Sequence, residues 1–176
     1  MQIQTVKEEI TFCRKLLARY WIHLKIVPMR KMPTYERTFD DVHMDGPTRT
    51  LWICSDFARE KSRASGIVTA LWREVGHCVI SDEECRSGYN WVDPYPKFLK
   101  RIARKRSYET GMMDSIDRVN ERCAVEAQTA ALLVAGVDQH RFAFVTAYVA
   151  GTYSWNAAQV SPKIQHWRQK IEKALA

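Results

Sequence analysis

The chain has 176 residues, 46% of them hydrophobic, and a formal charge of +7. That is enough for one globular domain spanning residues 1–176 with its own core, and no run reaches the ~18 consecutive apolar residues of a membrane span. Met1 to Glu9 lack the basic-then-apolar pattern of an export signal, so the expectation is a cytoplasmic protein without a membrane partner.

Thr5-Val-Lys-Glu8 reads as a capping box, with Ile10, Cys13, Leu17 and Tyr20 following at helical spacing. Tyr20 to Val27 is aromatic and β-branched and predicts a strand. Residues 31–36 contain Pro33 and read as a loop. Residues 38–44 and 49–54, separated by Asp45-Gly46-Pro47, predict a hairpin with Leu51 and Ile53 on one face. Ser55-Asp56 suits either the cap of a short helix into Lys61 or the start of the long helix itself. From about Ser62 to Ser65 a long helix runs to Ile80, with Ile67, Val68, Leu71, Val75, Cys78 and Val79 as its apolar stripe.

Residues 81–96 are turn-rich and predict a loop carrying aromatics. Residues 97–106 form a short basic amphipathic helix. Ser115 to Ala135 is strongly periodic through Ile116, Val119, Cys123, Ala127, Ala130 and Val134, and Gly136 stops it. Residues 141–150 lean to helix on length and alanine content. Ser161-Pro162 opens a last helix presenting Ile164, Trp167, Ile171 and Leu175. The fold class that follows is α+β: a mostly helical single domain with a small antiparallel sheet.

Five scattered cysteines, with no C-x-x-C pair, argue against a separate zinc knuckle or redox site; Cys78 and Cys85, on either side of a polar turn, are the one candidate pair for a bridge or a metal. The chemistry concentrates on Arg73-Glu74-Val75-Gly76-His77. In the frame His-Glu-x-x-His, two imidazoles one turn apart converge on one zinc ion, and the glutamate activates a bound water. Here Leu71, Glu74, Gly76 and His77 keep the wider pattern Leu-x-His-Glu-φ-Gly-His, while Arg73 stands where the first ligand belongs. A guanidinium stays protonated and has no lone pair to give a metal.

Helix, strand, hairpin, motif helix and alanine-rich glutamate helix together resemble the zincin metallopeptidase plan, over roughly residues 20–135. The segment from Glu121 through Ala124 and Glu126 to Leu133 is similar to the helix that carries the third ligand in glutamate-zincins. That group includes repressor-cleaving peptidases of mobile elements and the zincin domain of plasmid antirestriction proteins. The resemblance implies Glu74 as general base, His77 as a metal ligand, zinc as the cofactor and a protein or peptide as substrate. The third ligand has two candidates. Glu121 fits the family spacing; Glu126 lies nearer the apolar stripe and ranks first on helical geometry. Arg73 removes one of three ligands, so a catalytically degenerate relative is the companion expectation, with Arg73 filling the metal position and pairing with Glu126 or Glu74.

A second class of function is non-catalytic binding. Lys97, Lys100, Arg101, Arg104 and Lys105 would contact phosphates, and Tyr89 and Trp91 would stack on exposed bases. The bland counterpart is a solvated basic helix face.

Overall fold

The computed structural model describes residues 3–33, 42–58, 64–81, 100, 101, 104, 116–147 and 152–176. Helix α1 (Val6–Arg19) begins at the expected box: the Thr5 hydroxyl accepts from the Glu8 amide at 3.2 Å, and the Glu8 carboxylate accepts from the Thr5 amide at 2.9 Å. The Gln4 amide, the Thr5 hydroxyl and the Thr5 amide all donate to that carboxylate and hold it below its usual range. Cys13, Leu16 and Leu17 are fully buried along one face.

The helix ends in a Schellman turn. The Trp21 amide donates to Ala18 O, the Ile22 amide donates to Leu17 O, and Ile22 is buried. This turn requires a left-handed residue, and Trp21 supplies it at φ 60°. The turn occupies Tyr20 to Ile22, so strand β1 (His23–Val27) starts three residues later than the composition predicts.

Strands β2 (Val42–Asp45) and β3 (Thr50–Cys54) form the expected hairpin, with Met44 opposite Leu51 and Val42 opposite Ile53. The sheet order is β1-β3-β2. β1 runs parallel to β3, with Leu24 beside Leu51 and Ile26 beside Ile53, so the sheet is mixed rather than wholly antiparallel. A hairpin turn dictates direction only for the two strands it joins. β1 arrives from α1 and is free to pair in either sense. Leu51 and Ile53 are fully buried and join the sheet to the helical core.

Helix α2 (Ala64–Ile80) is the centre of that core, with Val68, Leu71, Trp72 and Val75 fully buried. Its main partner is α3 (Ile116–Ala135), whose other side carries α6 (Pro162–Leu175). Between them lie α4 (Gln139–Thr146), capped by Asp138, which overlaps the helix expected over residues 141–150, and the short α5 (Trp155–Val160), capped by Ser154, where the residue pattern predicts no element. α3 closes with a second Schellman turn in which Gly136 takes the left-handed position at φ 71°. The molecule thus is α+β, mostly helical with a small three-stranded sheet. No helix among the described residues is long and apolar enough to cross a membrane.

Gly76 sets the distance between α2 and α3. A Cβ built there would lie 2.2 Å from Ala124 O and 3.1 Å from the Gln128 Cβ. Backbone cannot yield as a side-chain tip can, so only glycine permits this crossing. Gln128 itself is 1% exposed, and both ends of its amide lack a hydrogen-bond partner among the described residues.

Candidate functional site

The close crossing brings Arg73 and His77, one turn apart on α2, against Glu121 on α3. Arg73 Nη2 donates to Glu121 Oε2 at 3.0 Å, and His77 Nε2 lies 3.4 Å from Glu121 Oε1. One carboxylate is therefore shared by the residues at the first and second ligand positions of the motif. The Arg73 and Glu121 side chains are half exposed, at 53% and 47%, and His77 is more enclosed at 21%. The centre lies at the rim of the helix pair and remains open to solvent on one side.

Burial lowers the His77 imidazole below its ordinary value; Glu121 opposes that effect and Arg73 adds to it. The Glu74 carboxyl is pushed up by burial and by the Glu121 charge, against the pull of Arg73. The result is a graded cluster: a permanent cation, an exposed carboxylate, a ring disfavoured as a cation and a carboxyl disfavoured as an anion.

Glu126, ranked ahead of Glu121 as partner of His77, lies elsewhere. Its Oε1 is 3.4 Å from the Tyr153 hydroxyl and 3.5 Å from Lys163 Nζ at the start of α6. The ranking assumed that α3 has one buried stripe. In fact Ala124, Ala127, Gln128, Ala130 and Ala131 are all buried, because α3 is covered on several sides. The side facing α2 runs through Ala124 and Gln128, and Glu121 is one turn before Ala124 on that line. Arg73 accordingly pairs with Glu121, not with Glu126 or Glu74.

The donor set can be tested against zinc. Two ligands of one tetrahedral ion at about 2.05 Å would be about 3.3 Å apart, and the 3.4 Å between His77 Nε2 and Glu121 Oε1 matches that spacing. The count does not match. Arg73 brings a positive charge and no lone pair to the first ligand position, and among the described residues no three His, Cys, Asp or Glu side chains form a metal-holding group. The described residues by themselves do not make a zinc centre.

The proposed nucleic-acid residues are only partly described. Lys100, Arg101 and Arg104 are helical; Arg101 and Arg104 are exposed and Lys100 is partly buried. Lys97, Lys105, Tyr89 and Trp91 lie outside the described residues.

A second carboxylate centre went unmarked. Glu9 is 2% exposed; it accepts from the Trp72 indole at 2.8 Å and from Arg141 Nε at 2.6 Å and Nη2 at 3.3 Å. The signal was available, because Glu9 occupies the i−4 position to Cys13 and the i−8 position to Leu17 on the buried face of α1. A charged residue on an apolar stripe demands a buried partner. Comparison with protein-family models, with curated proteins and with solved structures finds no match to this chain.

Proposed function

We propose that this chain is a zincin-like protein whose hydrolytic centre is closed by an arginine, and that it acts by binding rather than by cutting. The observation that carries the reading is the single carboxylate of Glu121 held by both Arg73 and His77. The three residues meet where a zincin would gather its three ligands around a metal, and a guanidinium takes the place of the cation. Gly76 adds support, because it stands in the motif and has a reason here: α2 and α3 must approach closely for Glu121 to reach His77.

The experiment compares metal content in the parent and in Arg73→His, purified identically and dialysed against trace zinc. The parent is expected to hold far less than one equivalent. The variant regains an imidazole pair one turn apart beside Glu121, and its zinc affinity is expected to rise by orders of magnitude. Full zinc in the parent would mean a ligand outside this cluster replaces the missing histidine. No gain in the variant would remove the zincin-like reading.

A further inference from the structure

Trp21 is the wrong residue for its place. The Schellman turn ending α3 uses Gly136 for the left-handed position, whereas the same turn ending α1 uses a tryptophan. Little packing returns for that steric cost, since Trp21 is 67% exposed, among the most exposed large hydrophobic residues described. The surrounding structure nevertheless holds it firmly. Arg49, itself left-handed at φ 50°, donates from Nε to Trp21 O at 3.1 Å and from Nη2 to Tyr20 O at 2.7 Å. The His23 amide in turn donates to Arg49 O at 2.9 Å. A strained, exposed residue fixed from both sides points to use at the surface.

The surroundings identify the kind of ligand. Residues 10–33 contain Arg14, Lys15, Arg19, Lys25, Arg30 and Lys31 and no Asp or Glu. His23 and Lys25 are both exposed on the outer face of β1, opposite the partly buried Leu24 and Ile26 that pack on the core. Lys25 Nζ lies 4.3 Å from the Trp52 ring centroid on β3, and His43 of β2 is the register partner of Trp52 on its other side. The exposed strip therefore follows the β1 edge, from the Trp21 indole and Arg49 through His23 to Lys25; beyond it Thr50 and Cys54 are buried, and β2 brings Asp45 as well as His43 to that face.

We propose that this strip binds single-stranded nucleic acid, with a base stacked on Trp21 and phosphates following His23 and Lys25. The indole offers a flat π-face that any base can cover, and cations beside it suit a polyanion. A membrane surface is disfavoured because no other exposed large hydrophobic residue is described in residues 10–33, which leaves no apolar face to insert. An acidic peptide has the charge but no planar group for Trp21. The strip shares no residue with the Arg73–His77–Glu121 cluster, so its failure and that of the zincin-like reading are distinguishable.

The test is fluorescence anisotropy of a labelled oligothymidylate with the full chain, across a range of salt. Trp21→Gly is the informative variant, because glycine suits the left-handed turn and leaves the fold at least as stable by thermal melting. It is expected to weaken binding about tenfold, and Trp21→Tyr to retain it. Lys25→Gln is expected to lower the slope of log affinity against log salt by about 0.7. Absence of binding by the parent would overturn the proposal, as would binding that is unchanged in Trp21→Gly. So would Trp21-dependent binding to phosphatidylserine vesicles or polyglutamate in place of the oligonucleotide.

Discussion

Glu9 and Glu121 each hold an arginine, and they do different work. Glu9 is buried with a side chain 3% exposed; the Trp72 indole and two nitrogens of Arg141 meet its oxygens, joining α1, α2 and α4. Glu121 is 47% exposed and shares its oxygens between Arg73 and His77 at the rim of α2 and α3. Burial separates them. A charge withdrawn from water is retained only if its partners stay, so Glu9 makes its three helices depend on one another. A half-solvated pair contributes little to stability. The Glu121 cluster can change without unfolding the chain, as a site must.

The largest expected effect is at the buried centre. Arg141→Ala leaves the Glu9 carboxylate without its cation and is expected to cost about 3 kcal/mol in urea denaturation. Gly76→Ala comes next, at about 2 kcal/mol, because a new Cβ meets the Ala124 carbonyl and the helices must part. The same variant is expected to detach Glu121 from His77, which the imidazole resonances would report. If it is neutral, the close crossing is not what holds the site together.

Arg73→Ala is expected to cost less than about 1 kcal/mol. A loss equal to that of Arg141→Ala would erase the contrast and make the Glu121 cluster a structural pair. Titration sharpens the point further. Arg73→Gln is expected to raise the His77 pKa, and Glu121→Gln to depress it further, since the two charges act in opposite directions on the ring. Proton NMR of the imidazole reads both.

The pH dependence of stability has two opposed parts. His77 is lowered in the fold, so the unfolded chain binds more protons just below the ordinary histidine value of about 6.5. Its contribution therefore grows as pH rises from the lowered value to that point. Glu74 is raised, so the folded chain binds more protons above the ordinary glutamate value of about 4.3, and stability falls as pH rises from there to the raised value. In Glu74→Gln that fall is expected to vanish in thermal melts while the histidine rise remains. An effect of opposite sign is expected at Gln128, where Gln128→Met removes two unpartnered amide atoms from a buried position. A gain of about 1 kcal/mol in the same denaturation assay is the expected outcome.

Much of this architecture is decided by neighbours along the chain. The Thr5 to Glu8 box, the periodic stripe of α2, the Gly136 stop and the Ser161-Pro162 start are interactions within one turn, so their residue types appear together in the sequence. The Arg73-Glu74-Val75-Gly76-His77 frame is legible for the same reason. Tertiary packing decided the rest. β1 could pair in either sense with β3, and the assembled fold pairs it parallel. Glu121 and Glu126 are five residues apart on one helix, and helical periodicity alone preferred Glu126. The choice fell to Glu121 because α3 is buried on several sides, with Gly76 drawing α2 onto the side of Ala124 and α6 bringing Lys163 to Glu126. A helix with one buried face announces it in its sequence. A helix covered on several sides does not, because the apolar residues no longer distinguish one neighbour from another.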